Sequence, residues 1–276
     1  MRLAIAIAAA AVTLGVAGAA AAGPSVEIRD AVARITVIPE DRPDVKVEFL
    51  TVNPSLPIEV RTSGGETVVD GGLRHRIRGC HSRGDSPTAS VRGVGTIEFK
   101  DMPQVVIHAP KAVVVEAGGA VVGTIGRAAS LELENSGCSN WTVADVSGDV
   151  TLRDSGVGTV RMGQAGRLNV HLSGSGNIRA TKVGGLDASV SGAGGITVNE
   201  LTGPMEAQVS GVGHIKVLGG NAGAVRASIS GVGGVDFDGR AASLDAQISG
   251  IGGIRVKEVT GPVTKSVSGG GHISIG

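Results

Sequence analysis

The chain has 276 residues, of which 46 are Gly and only four are aromatic: Phe49, Phe99, Trp141 and Phe237. Its 25 basic and 25 acidic residues cancel, which argues against nucleic acid as a partner, as does the lack of rings for bases to stack on. Glycine does not recur every third residue and 41% of residues are apolar, so collagen and disorder are excluded and a periodic, cored structure is expected.

Residues 1–22 read as an export signal. Arg2 supplies the positive start, residues 3–16 are an apolar run, and residues 17–22 are small, placing cleavage near Ala22. That run is short for a membrane span, and no later stretch reaches the roughly 20 apolar residues a spanning helix needs. The protein is therefore expected to be exported to a bacterial periplasm or exterior and not to span the membrane. No Cys sits at the cleavage site to carry a lipid.

Residues 23–112 are expected to form irregular β coils and a loop that cap the repeats beyond residue 112. Residues 26–29, 33–38 and 45–50 are strand-like, with a turn over 39–43, and residues 57–61 and 66–70 flank Ser63-Gly64-Gly65. Residues 73–90 are expected to be a long surface loop. That loop carries Cys80, which in an oxidising compartment can pair with Cys138, the other cysteine, and pin the loop to the first full repeat; two separate thiols are the alternative.

Residues 113–276 hold the repeat. A Ser-Gly pair recurs at Ser136, Ser155, Ser173, Ser191, Ser210, Ser230, Ser249 and Ser268, every 18 to 20 residues, with corner glycines Gly137, Gly156, Gly174, Gly192, Gly211, Gly231, Gly250 and Gly269. Counting from each serine, positions −5, −3, −1, +5 and +7 give 40 sites, and all are apolar except Asn135, Asp154 and Lys265. The intervening positions −4, −2, 0 and +6 contain no apolar residue. Alternation on both sides of a Gly-rich corner predicts two strands per repeat with one face in and one face out. A unit of about 19 residues cannot bury that face alone, so the units must stack, with ~4.8 Å between rungs. The fold expected is all-β, a single-stranded parallel β-helix.

The Ser-Gly-x-Gly-x-Ile rows, the Thr-Gly-Pro corners at 202–204 and 260–262, and the strands at 26–29 and 35–37 resemble the head GIN domain family of autotransporter-adhesin-like proteins. The resemblance covers most of the chain beyond the signal and implies a right-handed β-helix and an exported protein with a role in adhesion. The chain departs from an autotransporter proper because it reaches Gly276 inside a repeat rather than in a membrane barrel.

Few residues suggest chemistry. Asp187 and Glu206 fall on neighbouring rungs of the −4 column and face outward, the arrangement a carbohydrate-active β-helix would need, although Arg226 comes next and turns the column into an ordinary charge ladder. Asp236 and Asp238 flank Phe237 at what reads as a solvated turn. His214 and His272 share a column but lie three rungs apart, too far to share a metal. His75, Cys80 and His81 would suit zinc only if Cys80 were a free thiol. Arg83-Gly84-Asp85 matches an integrin-binding tripeptide and reads as chance. The serine column is expected to be structural, with hydroxyls bonded along the ladder. A basic set at +6, Arg161, Arg179, Lys216 and Arg255, offers charge to acidic glycans or lipid phosphates.

The expectation is an exported, non-enzymatic solenoid without cofactor or metal that engages a protein or glycan of the envelope or surface. The alternatives are an enzyme acting on acidic polysaccharide through Asp187 and Glu206, and a structural envelope protein that self-associates through its C-terminal coil.

Overall fold

The computed structural model describes residues 23–83 and 86–276, without the side chains of residues 82–86. The export signal expected over 1–22, and Gly84 and Asp85 of the tripeptide, lie outside the described residues. The remainder is a parallel β-solenoid of about nine turns. Among the described residues no helix is long and apolar enough to cross a membrane.

Period-two alternation becomes in-register rungs. Leu168, Leu186, Met205, Val225 and Leu244 stack one above another before the corner, and Val160, Ile178, Ile196, Ile215, Val235 and Ile254 stack after it. All are buried. Each aliphatic side chain so buried gains roughly 1.5–3 kcal/mol, and the parallel ladders satisfy the backbone it carries inside.

The corner between the two strands is held chiefly by main chain. The Val190 carbonyl accepts from both Ser210 N (2.9 Å) and Gly211 N (3.1 Å), and Val212 N donates to the Gly192 carbonyl at 2.9 Å. The same triple contact recurs from coil to coil. It brings successive corners so close that a Cβ on Gly211 would lie 2.2 Å from the Gly192 oxygen. Space excludes a side chain at this corner.

A third inward column closes each coil: Ala128, Val146, Ala165, Val183, Leu201, Ala222 and Ala241, all buried and in register from Ala165 to Leu201. The sequence reading of two strands per repeat is therefore incomplete. The variation in repeat length falls in this segment, which is shorter between Met162 and Leu168 than between Val217 and Val225, and that drift blurs the column.

The lumen is narrow. Trp141 is buried because the rung beside it is Gly123, where a Cβ would fall 2.1 Å from the indole. Phe237 likewise lies against Gly239. Each large ring in the lumen is matched by a missing side chain.

At the N-terminal end, Ser25–Glu40 stacks on Ala112–Ile125, and its other edge is covered by Glu66–Asp70 and Gln104–Pro110. These in turn carry the antiparallel strands Glu59–Ser63 and Lys46–Thr51, so the sheet edge there is paired. The expected surface loop over 73–90 is instead ordered structure. Ile77–Arg83, Ser86–Val91 and Gly95–Glu98 form a three-stranded antiparallel sheet. Its inner residues Ala89, Val91 and Ile97 share a second core with Val32 and Ala120 of the outer solenoid face. The disulfide Cys80–Cys138 joins that sheet to the solenoid across 58 residues of chain.

The corner and the disulfide can each be tested by substitution. Gly211→Val should destabilise the rod by about 1–3 kcal/mol or more through overpacking, whereas Ser210→Ala should stay within about 0.5 kcal/mol; urea titration of the two variants measures the contrast. Thiol titration of the unreduced protein should find no free thiol, and Cys80→Ser with Cys138→Ser should lose about 2–4 kcal/mol of stability, read from the same urea titration.

Candidate functional site

The strand after each corner presents its +2, +4 and +6 residues outward, and over four coils its first positions form a groove of about 480 Å³. Gly158, Gly176 and Gly194 are its floor, Val157, Ser175 and Ala193 one wall, and Asn140, Thr159 and Asn177 the other. Cys80, held by its disulfide, closes one end. Ser139 continues this floor on the first coil; beside the three glycines, which carry no side chain, an occupant can approach the main chain.

Beyond the polar wall runs the +6 column. Arg161 and Arg179 sit on adjacent rungs, continued by Thr197 and Lys216. Both arginines are exposed, and neither has an ion pair or hydrogen bond among the described residues. Arg255, grouped with them by sequence, belongs elsewhere. It donates to Asp236 Oδ1 at 3.2 Å and pairs with Asp238 at 3.1 Å, while His214 Nε2 contacts Asp236 Oδ2 at 2.6 Å. Partial burial pushes the Asp236 carboxyl up, but the His214 and Arg255 hydrogen bonds outweigh it and hold the group below the usual carboxylate range. Asp236 and Asp238 thus belong to a closed ionic network. His214 and His272 are separated by Gly234 and Gly253 on the intervening rungs.

On the opposite side of the corner, Asp187 and Glu206 are rung neighbours but line different hollows. Asp187 fronts one with Arg153, Asn169 and His171, and Glu206 fronts another with Arg226 and Asp245. Their side chains do not converge on a common cavity. A carboxylate ladder that the repeat count missed lies nearer the N-terminus, where Glu27, Glu116 and Glu134 occupy successive rungs. Burial, then repulsion from Glu134 and Glu27, raises the Glu116 carboxyl. Only the register of Ser25–Glu40, which precedes the regular repeats, reveals that alignment.

The serine column is exposed throughout. Ser136 and Ser155 donate through Oγ to the carbonyls of Ala117 and Asn135, at 3.5 and 3.3 Å. Their partners are main-chain atoms of the preceding coil, not other serines.

No family model matches the chain, and no curated protein matches it. Solved structures similar to it include a "putative adhesin" from Bacteroides fragilis, 18% identical with a TM-score of 0.40 over 92% of this chain and 93% of that one. A "putative lipid binding protein" from Parabacteroides distasonis is 20% identical, with a TM-score of 0.48 over the same shares. A "putative cell adhesion protein" from Clostridium sporogenes is 9% identical, with a TM-score of 0.23 over 92% of each chain.

Two polar exceptions in the inward columns meet inside the rod. Asn135 Nδ2 donates to Asp154 Oδ1 at 2.9 Å, and Gly156 N donates to the same oxygen at 3.0 Å. Asp154 is only 2% exposed. Burial raises its carboxyl above the usual range, against the two hydrogen bonds that lower it. Asp154 Oδ2 and Asn135 Oδ1 have no partner, and both are acceptors while Asp154 is ionised; a proton on Asp154 turns one of them into a donor. The folded state therefore holds this proton to higher pH than the unfolded chain. The stabilisation is fully present below about pH 4, the ordinary carboxylate range, and is lost as pH rises through the raised native value. Asp154→Asn supplies a permanent donor to Asn135, so it should be more stable than the parent at pH 7, with the difference shrinking toward pH 4. Thermal unfolding across that range measures this.

Proposed function

We propose that the protein is an exported, non-enzymatic scaffold of the bacterial envelope that engages an extended surface partner along the strand after its corner. The observation that carries this reading is the rigid repetition of that face. The same outward columns recur coil after coil on backbone ladders, so a partner extended along the rod meets one set of contacts at ~4.8 Å intervals. Val157, Val212 and Ile251 in the +2 column are 55, 62 and 61% exposed, apolar groups on the same outward face that suit contact with a large partner. Export accords with the disulfide, which persists in oxidising compartments.

Adhesion tests this directly. Beads coated with the protein should attach to bacterial or host-cell surfaces, saturably and in competition with soluble protein. Attachment no greater than that of uncoated beads, or release of sugars from polysaccharide by the purified protein, would remove the reading.

A further inference from the structure

We infer that the groove floored by Gly158, Gly176 and Gly194, with the arginine pair Arg161 and Arg179 at its side, binds a linear acidic polysaccharide laid along the rod. The inference rests on the surface-contact reading and specifies its partner.

Charge pairing across rungs is the first support. Four ion pairs elsewhere on the solenoid join neighbouring coils through opposite signs: Glu132 with Arg153, Lys182 with Glu200, Arg240 with Glu258, and Asp236 with Arg255. Like charges on adjacent rungs destabilise a sheet. Arg161 and Arg179 do face one another in register, and among the described residues neither is offset by a carboxylate. Lys182, the nearest cation along the strand, is already engaged by Glu200 at 3.0 Å. An anionic ligand relieves this repulsion, and guanidinium forks suit planar carboxylates in two-point contact.

The groove selects among anions. Thr159 and Asn177 place a hydroxyl and an amide on the arginine side of the groove and Ser175 a hydroxyl on the opposite wall, matching a hydroxyl-rich chain. The glycine floor admits a chain close to the backbone. The rung repeat meets a polymer with charges at regular intervals, which an isolated phosphate or a lipid headgroup does not exploit. The absence of aromatic residues from the groove means that affinity must come from charge and hydrogen bonding, so binding should weaken with salt.

The test uses polygalacturonate at low ionic strength, with dextran as neutral polymer and phosphatidylglycerol vesicles as the lipid arm, each measured by calorimetry. Arg161→Thr with Arg179→Thr borrows the Thr142 and Thr197 of the same column, so the fold is kept and circular dichroism checks it. Polygalacturonate should bind, dextran should not, and the double variant should bind at least tenfold more weakly. Arg240→Thr with Arg255→Thr removes the same charge from paired sites and should stay within twofold.

Unchanged binding by the first variant, an equal loss in the second, equal binding of dextran, preference for vesicles, or no polymer binding at all would each overturn the assignment. So would sedimentation showing that the arginine pair instead holds two copies together, for which the Glu27, Glu116 and Glu134 ladder is the complementary surface. Attachment of coated beads separates the two claims. If beads bearing the first variant still attach while polymer binding proves absent, the polysaccharide assignment falls alone; if parent beads fail to attach, the wider reading falls.

Discussion

The close stacking of successive corners governs the rest of this molecule. At the corners from Ser155 to Ser249 one carbonyl of the preceding coil receives two N–H groups, as Val190 does from Ser210 and Gly211, and the corners then sit within van der Waals reach. No side chain fits between them. The abundance of glycine follows from that contact, since each coil must supply a residue whose Cβ would otherwise occupy its neighbour's carbonyl oxygen. Serine before it is constrained much less, because its side chain points to solvent.

The same constraint sets the interior. Coils that turn so tightly enclose a lumen wide enough for Val, Ile, Leu and Ala, and each larger ring enters where a glycine gives up its side chain, on the neighbouring rung for Trp141 (Gly123) and along the same strand for Phe237 (Gly239). Polar groups enter under an equally strict condition. Asn135 and Asp154 lie on consecutive rungs and bond to one another, which offsets part of the cost of burying each and leaves one oxygen of each unpartnered. A lone Asp in that column would have met only the main chain and aliphatic neighbours. Lys265, the third exception, occupies the inward column below Ala246 and reaches the Ile273 carbonyl at 3.5 Å, with its charge in an exposed setting.

What the sequence makes legible is whatever the period repeats. The inward and outward columns on both sides of the serine corner, and hence the parallel stacking, can be counted directly. The third side cannot, because the repeats absorb their changes of length there and the column drifts. The antiparallel sheet over 77–98 is hidden for another reason: it belongs to no repeat, and its few apolar residues, Ala89, Val91 and Ile97, pack against the outside of the rod. Site residues divide in the same way. Arg161 and Arg179 are visible as a column, but separating them from Arg255 requires the spatial meeting of His214, Asp236 and Asp238, residues from three different outward positions. The Glu27, Glu116 and Glu134 ladder needs the register of an irregular first coil.

A solenoid with in-register rungs makes surface electrostatics unusually direct, because residues 18 to 20 apart in sequence become neighbours ~4.8 Å apart. Any charge in an outward column is judged by the charge one repeat away. Alternating signs neutralise themselves, as Lys182 does with Glu200, and contribute little beyond solvation. Repeated signs build a field that the fold itself does not discharge. Arg161 and Arg179 are such a pair on one face, and Glu116 and Glu134 repeat the opposite sign on another, where Arg29 answers Glu27 at one end of the ladder and Arg153 follows Glu134 at the other, all in a chain whose total charge is zero. Overall neutrality is therefore no guide to local recognition here: the charges are sorted along the rod, and the rungs hold each group at the spacing that a periodic partner would meet.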